Sequence, residues 1–172
     1  IEVVIDGKGN FRRAQLVDKD SSTTIIPATE NSAGRTGKKP TCHPLSDSLQ
    51  YLAGDFVDYG GEVTSGYSQD PTEPYRNFVA LLTKWCQSNY SHLKARAVLA
   101  YVQKKSLMRD LAAQKILLVD GNGKLQAKED VKRDKNVKDI FSVVSSQDKA
   151  FVRWVVEAPE GGETRAWLDE TL

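Results

Sequence analysis

The stretch Gly34-Arg35-Thr36-Gly37-Lys38-Lys39 is where this sequence concentrates chemistry. Two glycines let a backbone approach a ligand closely, and Arg35, Lys38 and Lys39 place three cations within five positions. Loops of this kind suit phosphate, and an arginine in one can also read a guanine edge in a groove. The stretch is not a nucleotide-binding P-loop. That motif needs four residues between its glycines and a Ser or Thr after the lysine; here two residues separate Gly34 from Gly37, and Pro40 follows the lysines. The alternative is a solvated loop of the same composition.

Charge is also uneven further along. Between Tyr75 and Gln114 stand seven basic residues, Arg76, Lys84, Lys94, Arg96, Lys104, Lys105 and Arg109, against one acidic residue, Asp110. The formal net charge of the whole chain is only +1. Acid gathers instead at Glu157, Glu160, Glu163, Asp169 and Glu170. A basic segment together with a basic loop is the electrostatic footprint of a polyanion binder, although solvated helix faces give the same count.

Catalytic constellations are harder to find. His43 and His92 each stand alone, with no partner at metal-ligand spacing. Asp18 and Asp20 flank Lys19 in the manner of a magnesium site, but a turn between two strands asks for the same residues. Cys86 follows Trp85 on an amphipathic segment and reads as core rather than nucleophile. Tyr51, Phe56, Tyr59 and Tyr67 bracket a glycine-rich stretch and could stack on bases, while Tyr51 and Phe56 fit the core better. No enzyme activity, metal or cofactor is expected.

The elements that must position these residues can be read from periodicity. Ile1–Asp6, the turn Gly7-Lys-Gly-Asn10 and Phe11–Val17 form a hairpin signal, and Thr23–Pro27 reads as a third, edge strand. Residues 31–40 are a loop. Pro44–Ala53 spaces Leu45, Leu49 and Leu52 as a helix ending at Gly54. Gly60–Pro74 is a glycine- and proline-bearing loop. Tyr75–Gln87 aligns Phe78, Leu81, Leu82 and Trp85 on one face, a second helix starts at Ser91, and Ser106 can cap a third. Lys115–Leu125 reads as strand, Gly-Asn-Gly turn and strand; Glu129–Lys138 is charged and solvated; Ile140–Ser145 and Phe151–Ala158 read as strands. The fold expected is α+β, a mixed or antiparallel sheet of short strands with a helical insertion around residues 75–114.

The chain has 172 residues, 40% hydrophobic and 27% charged, enough for one domain with a real core. No apolar run reaches the roughly 20 residues of a membrane helix, and residues 1–6 read as a strand rather than a leader. Cys42 and Cys86 lie far apart, which suggests reduced thiols and a cytoplasmic protein. The chain starts mid-strand and stops within what reads as a helix, so residues 1–172 are expected to be one domain cut from a longer protein.

Several stretches, in order, resemble a known family. They are Phe11-Arg-Arg-Ala-Gln-Leu-Val-Asp-Lys-Asp20, Thr23-Thr-Ile-Ile-Pro-Ala-Thr-Glu30, Gly34-Arg-Thr-Gly-Lys-Lys-Pro40 leading into Leu45–Gly54, Phe151-Val-Arg-Trp-Val-Val-Glu-Ala-Pro159, and Gly162-Glu-Thr-Arg-Ala-Trp-Leu-Asp169. Together they resemble the N-terminal part of the large subunit of type I-C Cascade, the CRISPR RNA-guided surveillance complex of bacterial antiviral defense. The resemblance implies a non-catalytic subunit that engages target duplex DNA at the short PAM beside the target. It also implies help in opening the strands and in recruiting the helicase–nuclease, with sequence specificity left to the guide RNA. Implied partners are double-stranded target DNA, the other Cascade subunits with their guide RNA, the helicase–nuclease and phage anti-CRISPR proteins. By position, the loop before Leu45 would carry the contact: Arg35 with Lys38 or Lys39 on phosphates or a groove edge, and Asn31, Ser32 and Thr36 as hydrogen-bond donors. A nuclease would need an acidic cluster or a His–acid pair, which the sequence lacks. An assembly module that docks only on protein subunits is the stronger rival.

Overall fold

The strand β1 (Glu2–Asp6) forms the centre of the sheet because Val3, Val4 and Ile5 are consecutive, branched and all buried. A run like this suits a strand covered on both faces. The computed structural model describes residues 1–18, 20–35, 41–66, 68–131 and 143–157. In it β1 pairs antiparallel with β2 (Phe11–Gln15) and parallel with β3 (Arg153–Glu157), in the order β2-β1-β3. The β1–β2 turn is closed by Asp6, whose carboxylate accepts the amides of Lys8 and Asn10, each at 2.9 Å. Gly9 turns there at φ +73°, and a Cβ on it would stand 2.6 Å from the Ala97 carbonyl oxygen. Only glycine combines that dihedral with so close an approach.

A parallel pair needs a crossover, and here the crossover holds all the helices among the described residues. These are α1 (Glu30–Ala33), α2 (Leu49–Leu52), α3 (Glu73–Cys86), α4 (Leu93–Val102), α5 (Leu107–Ala113) and α6 (Lys128–Val131). The fold is therefore α+β with a mixed sheet, as the sequence indicates. Phe78 and Leu82 of α3, Val98 and Val102 of α4, and Leu107, Met108 and Leu111 of α5 are buried in one core with Val3 and Ile5. Tyr101 of α4 joins helices to sheet. Its ring meets Trp154 of β3 edge-on at 5.6 Å and stacks on Phe11 at 6.2 Å, while its hydroxyl donates to Asp110 at 2.9 Å.

Five expectations need correction. Thr23–Pro27 is not a strand; the segment runs without regular structure, and Ile25 is 97% exposed. In Pro44–Ala53 only Leu49–Leu52 is helical, because residues 47–49 pair with another segment: Val152 donates its amide to the Asp47 carbonyl, and Leu49 donates to that of Ala150. Tertiary pairing here overrides a helical spacing. Ser106 stands at the start of α5 but does not cap it. Its hydroxyl bonds Asp110, and the buried Asp55 takes the amides of Met108 and Arg109, both at 3.1 Å. Helix α4 starts at Leu93 rather than Ser91 and is capped by His92, with Nδ1 accepting the Lys94 amide. Lys115–Leu125 makes isolated bridges, Leu117 with Val144 and Val119 with Leu125, rather than full strands.

Candidate nucleic-acid interface

Arg35 is the last described residue before the basic loop and Thr41 the first after it, and one buried carboxylate governs both flanks. Asp47 has no exposed side-chain surface, whereas Arg35 retains 20%. Oδ2 of Asp47 accepts Arg35 Nη1 at 2.6 Å and the His43 amide at 2.8 Å; Oδ1 accepts Arg35 Nη2 at 3.1 Å and the Ser48 amide at 2.7 Å. A carboxylate buried this deeply is tolerated because each oxygen has two donors and one partner carries a full charge. The guanidinium also donates to the Thr41 carbonyl at 3.0 Å, and it lies 5.5 Å from the centre of the Tyr51 ring and 6.0 Å from that of Phe151. Arg35 thus fastens the loop's entry to its exit and to the core beneath, in a bidentate geometry that lysine cannot make.

The other candidate residues divide. Ser32 is buried and completes a capping box with Thr29, its hydroxyl oxygen accepting the Thr29 amide at 2.8 Å. The same oxygen lies 3.1 Å from His43 Nδ1. Asn31 is exposed on α1. Thr36, Lys38 and Lys39 lie outside the described residues, as does Tyr67. The structure therefore brings Ser32 and Arg35 into one network with His43 and Asp47, while Asn31 faces solvent beside it. Asp47 escaped the sequence reading, although Ser46-Asp47-Ser48, a polar triplet between Leu45 and Leu49, was the available signal.

His43 links this network to pH. Burial lowers its pKa, the Arg35 charge lowers it further, and Asp47 partly opposes both. A histidine whose folded value lies below its ordinary 6.5 stabilises the fold fully above that value. The contribution is lost as pH falls from 6.5 through the folded value, because the unfolded chain then binds the proton more readily. The urea midpoint is expected to fall between pH 7.5 and pH 5.5, and His43→Gln should flatten that fall. An unchanged slope in the variant would remove His43 from the account.

The basic helical segment is partly engaged within the chain. Arg76 pairs with Asp70 at 2.7 Å and Arg109 with Asp110 at 3.3 Å. Lys104 donates to the Gly9 carbonyl at 2.5 Å and to Asn10, and the Lys105 ammonium lies 5.9 Å from the centre of the Tyr75 ring. Asp18 accepts the Ser21 amide at 2.7 Å, which is the turn role. Cys42 is buried, with its thiol pushed up to about 11 by desolvation and the nearby Asp47. Cys86 packs against the core, and both thiols are free. Among the described residues no three His, Cys, Asp or Glu side chains gather to hold a metal ion, and no helix is long and apolar enough to cross a membrane.

The family model for CRISPR-associated protein (Cas_Csd1) matches residues 1–171. The chain belongs to the Csd1 family of CRISPR-associated proteins. Membership places it in CRISPR defense, among proteins that work with other Cas subunits. No curated protein and no solved structure matches it significantly. For a CRISPR-associated protein, a basic loop with both flanks tied to the core is the natural first place to look for a nucleic-acid contact.

Proposed function

We propose that this protein is the N-terminal part of a type I-C Cascade large subunit. In this reading it binds target duplex DNA beside the PAM, without catalysis of its own, and thereby aids strand opening and helicase–nuclease recruitment. The observation that carries the reading is the Arg35–Asp47 clamp, which joins the flanks of a segment containing Lys38 and Lys39. A loop tied at its base loses less freedom when it meets a ligand, so few charges suffice for useful affinity. Within this reading Arg35 holds the loop, Lys38 and Lys39 meet phosphates, Thr36 and Asn31 donate hydrogen bonds, and Ser32 supports the stem.

A second reading, a module that docks only on protein subunits, draws on the cations already engaged inside the chain. One experiment separates the two: fluorescence anisotropy of the protein with short duplexes, with and without a candidate PAM, over a salt series. Lys38→Ala with Lys39→Ala is expected to weaken binding about tenfold and to reduce the salt slope by about 1 per lysine. Absence of binding at low salt, or binding indifferent to the two substitutions, would favour the docking module. An acidic anti-CRISPR protein acting as a DNA mimic would compete with duplex and lose affinity in the same variant.

A further inference from the structure

The turn between α3 and α4 is firmly built and yet carries an aromatic ring that the fold does not use. Trp85 Nε1 donates to the Tyr90 carbonyl at 2.9 Å, the Tyr90 amide donates to Ser88 Oγ at 3.2 Å, and the Ser91 amide donates to the Ser88 carbonyl at 3.1 Å. Arg96 Nη1 reaches Ser91 Oγ at 3.0 Å from the first turns of α4. The tip is held from both helices, at the Tyr90 carbonyl by Trp85 and at the Ser91 hydroxyl by Arg96, whereas the Tyr90 residue is 84% exposed. Every other tyrosine among the described residues is buried or half-buried.

Charge in the sequence flanking this ring has one sign. From Tyr75 to Arg109 the sequence contains no aspartate or glutamate. Lys84 is exposed in the last turn of α3, and Lys94 lies in the first turn of α4. Lys94 is half-buried, and burial alone pushes its ammonium down. Among the described residues no carboxylate pairs with either lysine. An anion beside Lys94 would relieve that penalty.

We infer that the α3–α4 tip is a second contact surface, on which Tyr90 stacks against an unpaired base of a single-stranded nucleic acid while Lys84 and Lys94 meet the flanking phosphates. A single strand is favoured over a duplex because only unpaired bases offer an open face to a ring, and over an acidic protein because a protruding aromatic among cations matches both parts of a nucleotide. The surface shares no residue with the 34–39 loop, so the two readings stand or fall separately.

The test is anisotropy of the 172-residue protein with fluorescein-labelled dT15, with a blunt duplex, and with a labelled poly-glutamate peptide. Tyr90→Ala should weaken dT15 binding about tenfold at 50 mM salt, and Tyr90→Phe should stay within about twofold. Lys84→Ala with Lys94→Ala should reduce the salt slope by about 1 to 2. Duplex affinity should be unchanged by Tyr90→Ala, and the Tyr90→Ala effect on dT15 should persist when Lys38 and Lys39 are alanine. An unchanged thermal midpoint checks that the variant is folded. The inference is overturned if dT15 does not bind, if Tyr90→Ala leaves its affinity intact or weakens duplex equally, or if poly-glutamate alone binds in a Tyr90-dependent way, which would assign the tip to an acidic protein.

Discussion

Asp47→Ala lowers the stability of this protein by about 3–5 kcal/mol, the range for removing one partner of a buried ion pair. In a domain of this size that is a fall of roughly 10 °C in the thermal midpoint. The loss is large because the substitution strands three groups at once: the Arg35 guanidinium, the His43 amide and the Ser48 amide. Replacing both partners, Arg35→Met with Asp47→Leu, leaves no orphaned charge and should cost clearly less than Asp47→Ala alone. Urea unfolding of the two variants checks both statements. A loss below about 1 kcal/mol in the single variant would show that the clamp does not hold the fold together. The double variant is also informative about function. It should stay folded while its loop flanks are no longer fastened, so duplex affinity should fall even though Lys38 and Lys39 remain.

Trp154→Ala should cost a further 3–5 kcal/mol by a different route, as expected for emptying a large buried aromatic site. Trp154 is almost wholly buried on β3, its ring meets Tyr101 of α4, and its Nε1 donates to the Leu45 carbonyl at 2.9 Å. That bond ties the sheet to the segment carrying Asp47. Trp154→Phe restores much of the packing but leaves the carbonyl without its donor, so a loss of about 1–3 kcal/mol remains. Phe78→Ala on α3 provides the control, since it empties a buried aromatic site of the same core without removing the hydrogen bond to the Leu45 carbonyl. Equal losses of stability, with duplex binding weakened only by Trp154→Ala at temperatures where both variants are folded, would connect this residue to the loop. Equal binding by the two would confine Trp154 to the core.

The contrast between helices and loop explains what could be read in advance. Phe78 and Leu82, or Val98 and Val102, reveal their helices because residues four apart share a face whatever the rest of the chain does. The hairpin at Gly7–Asn10 was legible for the same local reason. Leu45, Leu49 and Leu52 have equally good helical spacing, yet only the last four residues of the span are helical, because the Asp47–Leu49 backbone pairs with Ala150–Val152. Nothing within ten residues announces that partner. Thr23–Pro27 fails conversely: β-branched residues suit a strand, but β2 ends at Gln15 and among the described residues no strand receives them. The basic loop was conspicuous by composition, whereas Asp47 was not, because its significance arises only when Arg35, twelve positions earlier, comes within 2.6 Å.

The parallel pairing of β1 with β3 joins residues about 150 positions apart, Glu2 with Arg153 and Ile5 with Val156. The segment that completes the sheet also supplies Ala150 and Val152 to the stretch carrying Asp47. Contacts of such long sequence separation are closed late, since the entropy of a large loop must be overcome before they form. On the ribosome, the segment carrying Arg35 and Asp47 emerges about a hundred residues before Ala150–Val152, which pair with it, and at about 5–20 residues per second the interval is several seconds. During that time the helical hairpin can already form from local contacts, while the flanks of the basic loop wait for β3. The flanks of the cationic segment thus reach their final pairing only once β3 has been made, so the last support of the Arg35–Asp47 network is set late in synthesis.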